Sequence, residues 1–451
     1  MKILFVAPSA YPLGGIADWL DSTLDGLSGL NHLCGVGLVE GGGHNAKAYL
    51  DRHPWSSAVV ISNPSGSREG RIRSLMKSIE GSRSDLLVSV NLVDTYEAVR
   101  RLRHAFPQNV PRLAIALHGL QVELLADIRI NRDVIDGVVA TNRLAAAVAG
   151  AAMDDSARSH YAPCGVITRT GVHEAFPGTV FRLLYAGRIE QEQKRVMDLP
   201  PILSSLLTSG LDARLGIAGG GPHELQLRKG LEEHRVADRV DWFGELDARQ
   251  LAQVYRNHDA IIITSVWETG PIVAWEAMSH GLPVVSTRYV GSGCEGALID
   301  GKTAVLFPIG NISGAVEAVH RLLDGPFRAR IVAGALSLVK FRYSREFSAL
   351  AWQGALKTVL DSPRKATDAP LLSAPAGRLD NWLGVERAEG MRRLLGIRFV
   401  PDSPGAAWPH TYSRSLQQQK FLNALREFDD PGFSAGDLNR MVQGFVDARV
   451  A

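Results

Sequence analysis

Between Asp259 and Thr287 the chain reads DAIIITSVWETGPIVAWEAMSHGLPVVST, and few folds accommodate such a run. Ala260–Thr264 is a short β-branched stretch, the signature of a buried strand. Ser265–Thr269 form a turn, and Gly270-Pro271 mark a helix start, where the N–H that proline lacks has no intrahelical partner to lose. The helix runs to about His280, Gly281 ends it, and Leu282–Ser286 is the next strand. A strand, a helix and a strand in so few residues predict a βαβ unit in a parallel sheet. Glu268 precedes the helix and Glu276 lies on it. Free amides at a helix N-terminus attract phosphate or developing negative charge, and carboxylates accept hydrogen bonds from sugar or ribose hydroxyls. The combination suits a sugar nucleotide.

The same alternation extends along the chain. Strands are predicted at Lys2–Ala7, Val36–Val39, Ala58–Ile61, Leu86–Val90, Leu113–Leu117 and Gly137–Ala140, then at Arg182–Ala186, Ala213–Ala218, Arg239–Phe243 and Ala304–Phe307. Helices are predicted at Ile16–Leu27, with Trp19, Leu20, Leu24 and Leu27 on one face, and at Ile312–Leu323. At 451 residues the chain has room for two or three domains of ~150 residues. A net charge of +2 gives no electrostatic footprint for nucleic acid. No apolar run reaches the ~18 residues of a membrane span, and no cleavage-site pattern follows Met1–Ala7. Three cysteines, Cys34, Cys164 and Cys294, are too few and too scattered for a disulfide framework or a metal site, and the chain reads as cytoplasmic. The basic segment Arg68, Arg71, Arg73, Lys77 and Arg83 suits either an interfacial helix, giving peripheral contact at the inner face of a membrane, or a solvated helix face. Glu69, Glu80 and Asp85 dilute its charge and favour the second.

Glu268 and Glu276 in an E-x7-E spacing, followed by EAMSHGLPVVST, resemble the donor site of GT-B retaining glycosyltransferases of the GT4 family (glycosyl transferases group 1). The resemblance covers Met1 to about Leu360. It implies two Rossmann-like parallel-sheet domains facing a cleft. Residues 1–175 would form an acceptor-binding domain, completed by about 345–361, and 176–344 would bind the nucleotide-sugar donor. It also implies roles for residues. Glu268 would contact the transferred sugar and Glu276 the ribose, with the amides around Gly270, Pro271, Ile272 and Val273 beside them. Gly14 and Gly15 would lie near the donor phosphates and the acceptor. His118, at the end of a strand where active-site groups of open α/β sheets collect, would orient sugar and acceptor. Arg188 and Lys194 would grip the leaving diphosphate, whose charge grows as the glycosidic bond breaks. Gly219, Gly221 and Pro222 of the GGGP loop, and the backbone around Phe243, would meet the nucleotide. Gly291–Gly296 matches G-x-G-x-x-G without the acidic ribose partner of a dinucleotide fold, and resembles the Gly-rich loop of the same family.

Two positions depart from the family pattern: Cys164 stands where Asn is usual, and Arg195 replaces the commoner Gly after Lys194. No D-x-D occurs, and the resemblance implies no metal and no cofactor. The expected activity is retaining transfer from a UDP- or GDP-sugar to a hydroxyl acceptor, which is a glycan, a lipid-linked molecule or a small molecule, in cell-envelope polysaccharide or glycoconjugate synthesis. Two alternatives stand beside it: a nucleotide-sugar 2-epimerase-like enzyme, and a non-catalytic sugar-nucleotide-binding protein. Residues 362–451 carry no motif. DSPRKATDAPLLSAPAG reads as a linker, and helices are expected at Asn381–Leu395, Leu416–Phe428 and from an N-cap at Ser434 to about Arg449, forming a helical extension separable from the rest.

Overall fold

The computed structural model describes residues 1–9, 14–40, 45–55, 57–90, 92–168, 179–370, 373–375, 377–398 and 416–450. The stretch Ile167–Thr179, whose Thr, Gly and Pro read as a linker between the two domains, falls almost wholly outside them. Two parallel sheets carry the fold. The first holds β1 (Lys2–Pro8), β2 (Leu33–Val39), β3 (Ala58–Ile61), β4 (Leu86–Ser89), β5 (Arg112–Leu117), β6 (Gly137–Ala140) and β7 (Ser159–Tyr161) in the order β3-β2-β1-β4-β5-β6-β7. The second holds β8 (Phe181–Ala186), β9 (Ala213–Ala218), β10 (Val240–Gly244), β11 (Ala260–Ile263), β12 (Val284–Thr287) and β13 (Val305–Phe307) in the order β10-β9-β8-β11-β12-β13. Core strands such as β4, β6, β11 and β12 are buried along their whole length. This is why they read as continuous apolar runs and not as alternating ones.

Each sheet starts in its middle and winds outward in both directions. The order therefore reverses beside β1 and again beside β8, and ligands of such sheets bind at the carboxyl ends of strands flanking that switch. Strand limits match the expectation to within one or two residues, apart from β2, which starts three residues earlier at Leu33. The last strand of the first domain is Ser159–Tyr161, and Val166 beyond it bridges to Ser344. The helix expected at Gly270–His280 begins later, at Ile272, because Pro271 is its N-cap.

After the second sheet the chain crosses back. Helix Arg345–Asp361 lies on helix Gly15–Gly29, with the Trp352 and Trp19 rings 5.0 Å apart, and Ser348 Oγ donates to Pro163 O at 2.7 Å. The first domain is thus packed against residues from the far side of the second.

The tail departs from expectation: it packs into the first domain. Helix Val385–Leu395 packs on helix Arg68–Ser82, where the fully buried Glu389 accepts from Ser67 Oγ at 2.6 Å and Arg393 donates to Gly70 O at 2.8 Å. The basic segment is consequently no free cationic face. Arg68 and Arg71 both pair with Asp94, and Arg73 pairs with Glu69. Helices Leu416–Leu425 and Ala435–Val450 cover helices Val122–Ile130 and Arg143–Met153. Phe421, Leu425, Val442 and Val446 are fully buried in the first domain's core there. The linker composition misled because proline and serine describe the connection, whereas the apolar stripes beyond it decide the packing.

Between the last two helices the tail reaches the second domain. Asp429 accepts from the amides of Gly291 and Cys294, each at 2.8 Å. Gly293 allows this approach, since a Cβ there would stand 1.8 Å from Asp429 O. No helix among the described residues is long and apolar enough to cross a membrane.

Candidate active site

A cleft of about 630 Å³ opens between the sheets, lined by the carboxyl ends of strands from both. Its second-domain wall is built on β8 and β11. The segment after β8 is stitched to the segment after β11: Val266 N donates to Gln193 O at 2.7 Å, Thr264 Oγ1 to Lys194 O at 2.5 Å, and Gln193 Nε2 to Trp267 O at 3.0 Å. This brings Lys194 Nζ to 2.6 Å from Glu268 Oε1, which Ser265 Oγ also approaches at 2.6 Å. Arg188 lines the same wall, donating to Gln193 Oε1 at 3.3 Å. Arg195 has φ of 48°, left-handed backbone, and both oxygens of Asp198 hold its guanidinium at 2.8 and 2.9 Å. The residue in glycine's place therefore keeps glycine's backbone, at a local cost of about 1–2 kcal/mol.

Gly270, Pro271, Ile272 and Val273 line the cleft at the start of helix Ile272–Ser279, and a helix's first amides have no intrahelical partner. One turn on, Glu276 accepts from Tyr255 OH at 2.9 Å and also borders the cleft. Gly219, Gly221 and Pro222 form the next rim. Only glycine fits at Gly219, where φ is +129° and a Cβ would lie 2.0 Å from Gly187 O. Phe243 is the one predicted site residue that does not line the cleft. Its ring packs edge-on to His258 and over Gly216, and Glu245 and Leu246 line the cleft instead. The register shift between Trp242 and Gly244 separates the two groups.

The first-domain wall carries Gly14, Gly15 and His118. Gly15 faces Ile272 across the cleft, 3.5 Å from where its Cβ would be. His118 follows β5, its ring edge-on to Trp19 with centroids 4.3 Å apart, and burial pushes it down to about 3. It is therefore a neutral imidazole at physiological pH, able to orient a hydroxyl but not to pair with an anion. Its carbonyl accepts from Thr269 Oγ1 at 2.8 Å, and Thr141 Oγ1 donates to Thr269 O at 2.6 Å. The turn bearing Glu268 is thereby held from the opposite domain.

Sequence reasoning missed several residues here. Asp18 lines the cleft from the first domain, and the surrounding protein, with Asp21 nearby, pushes its carboxyl up to about 6. Glu190, buried beside Glu192, is pushed up to about 7 although two backbone amides donate to it. Glu190, Glu192 and His223 are the one group among the described residues whose ligand atoms lie within 4.8 Å of one another, as a metal site requires. Glu295, 4% exposed, takes hydrogen bonds from Tyr161, Arg143 N, Arg342 and Tyr343, so the Gly-rich loop is anchored in the first domain. Apart from Asp18, one helical turn beyond Gly14-Gly15, and Glu295, inside the Gly-rich motif Gly291–Gly296, none of these carried a sequence signal, because their partners lie far along the chain.

Residues 171–335 match the family described as Glycosyl transferases group 1. Among curated relatives, the chain is 34% identical over 148 residues to a glycogen synthase of Mycobacterium tuberculosis, covering 33% of this chain and 35% of that one. It is 31% identical over 199 residues to a D-inositol 3-phosphate glycosyltransferase of Pseudarthrobacter chlorophenolicus, covering 44% and 45%. The matches thus span less than half the length of these relatives. The structure of Anabaena HepE in complex with UDP and glucose superposes with a TM-score of 0.64 at 18% identity, over 79% of this chain and all of that one. The likeness at that identity is one of fold, and the fold is GT-B.

Proposed function

We propose that this chain, with a glycosyl transferases group 1 region at residues 171–335 inside a GT-B fold, transfers a sugar from a nucleotide-sugar to a hydroxyl acceptor. One observation carries the reading: a single cleft gathers two cations, Arg188 and Lys194, and two acids, Glu268 and Glu276, around the first turn of one helix. The cations suit a departing diphosphate, and the acids suit the hydroxyls of sugar and ribose. A sugar-nucleotide-binding protein without catalysis needs the acids and the amides but gains nothing from His118 opposite them. Screening UDP- and GDP-sugars for binding and for slow hydrolysis without acceptor tests the assignment. Absence of any nucleotide binding would discard it.

In this reading Glu268 is engaged on the donor side by Lys194 and Ser265. The acceptor then arrives on the leaving-group face, and a phosphate oxygen takes its proton. An α-linked donor should give an α-linked product, read from the anomeric proton coupling of the first product by NMR. A β-linked product would instead assign the base to Asp18, the only first-domain carboxylate lining the cleft among the described residues, since inversion requires a base on the opposite face.

With two cations on the diphosphate, metal is not required for leaving-group departure. Activity should survive EDTA, and loss restored by Mg²⁺ or Mn²⁺ would assign that stabilisation to an ion. Envelope or glycoconjugate synthesis in the cytoplasm is the biological setting this chemistry suits.

A further inference from the structure

The first domain's side of the cleft differs in charge from the second's. Among the described residues, every lysine and arginine lining the cleft, namely Arg188 and Lys194, comes from the second domain. Among the described residues the first domain contributes Asp18, Tyr49, His118 and Gln121 as its polar lining, apart from Thr141 at the seam. Asp21, one turn further along Asp18's helix, lies outside the lining and pairs with His53 at 2.6 Å. Hydrogen-bond capacity there is also left open. Gln121 is only 5% exposed, yet its Oε1 has no partner among the described residues, and neither has the buried Nε2 of His118. A buried acceptor without a donor carries an unrecovered desolvation cost, which a ligand bringing O–H or N–H groups recovers. A phosphate or carboxylate brings no such hydrogens and meets Asp18 at short range in a partly desolvated space.

We propose that this half of the cleft takes a polyhydroxylated acceptor without anionic groups, a neutral or amine-bearing saccharide, whose hydrogens are received by Asp18 and Gln121 and whose hydroxyl is oriented by His118. The proposal rests on the glycosyl-transfer reading for the use of that acceptor, not for the chemistry of the pocket. The narrow cation distribution gives the site a division of labour: anionic donor on one wall, anion-free acceptor on the other.

Ligand-observed NMR on the full-length chain tests it, with and without UDP or GDP, using methyl α-glucoside, glucosamine, glucose 6-phosphate and glucuronate as probes. The neutral and amino sugars should bind at least about tenfold more tightly than the two anionic ones. Asp18→Asn should remove any advantage of glucosamine over the neutral glucoside. Gln121→Leu should weaken both without changing the discrimination against anions. Equal or tighter binding of the anionic probes overturns the proposal, and so does failure of both uncharged and amino probes to bind. Failure of every nucleotide, with sugar discrimination intact, would remove the glycosyl-transfer reading and leave the pocket chemistry standing.

Discussion

Arg188→Ala and Lys194→Ala should each lower turnover by roughly 10²–10³, equivalent to about 2.7–4 kcal/mol of lost transition-state stabilisation per donor. Negative charge grows on the bridging oxygen as the glycosidic bond breaks, and a preorganised cation stabilises it most at that moment. The two variants should differ in detail. Lys194 is also 2.6 Å from Glu268, which is 5% exposed. Removing it leaves that carboxylate to Ser265 and Gln193 alone, so Lys194→Ala should disturb donor KM as well as kcat. Arg188 is held in the same wall by the neutral Gln193 side chain at 3.3 Å, and its loss should fall mainly on kcat. Steady-state kinetics with the donor identified by screening, on variants with unchanged melting temperature, decides the matter. Turnover within a factor of about three of wild type would discard the diphosphate grip.

Truncation after Leu360 should abolish soluble expression of a folded protein. Phe421, Leu425, Val442 and Val446 are fully buried against helices Val122–Ile130 and Arg143–Met153. At about 1.5–3 kcal/mol for each such side chain, these four alone amount to roughly 6–12 kcal/mol, comparable with the ~5–15 kcal/mol that holds a whole domain together. The truncated chain also loses the Gln418 side chain that accepts from Val122 N and donates to Leu120 O. Circular dichroism and gel filtration of the product check it. A soluble truncation melting at the wild-type temperature would show that the tail contributes no stability. A gentler probe is Phe421→Ala, for which a loss of about 3–5 kcal/mol is expected.

The strands and the donor wall were legible because they depend on local pattern. Ala260–Ile263 is apolar on both faces and Gly270-Pro271 punctuates the helix start, so the position of Glu268 and Glu276 follows from a few neighbouring residues. His118 was legible for the same reason, as the first residue after a strand. Contacts between distant segments left no such trace. Lys194 meets Glu268 across 74 residues, and Asp429 meets Gly291 across 138. Nothing in either segment alone announces the other. Phe243 shows the opposite case, a local pattern shifted by an irregularity: the backbone around it was the expectation, the β10 register slips beside it, and Glu245 and Leu246 line the cleft in its place. Asp18 was visible as a residue of the helix after Gly14-Gly15, but apolar periodicity describes a helix's buried face and is silent about what its polar face confronts.

The packing of the tail on the first domain sets an order of events during synthesis. Val122 and Gln418 are 296 residues apart, and a ribosome adding 5–20 residues/s needs about 15–60 s to make that interval. For that time the apolar surfaces of helices Val122–Ile130 and Arg143–Met153 have emerged while their cover has not. Isolated helices and hairpins form in microseconds, so the nascent first domain waits, half finished, through the making of the entire second domain. The part of the molecule translated first is the part completed last. Its yield in a cell should accordingly depend on chaperones that shield exposed apolar helices on the nascent chain, more than on the intrinsic speed of folding.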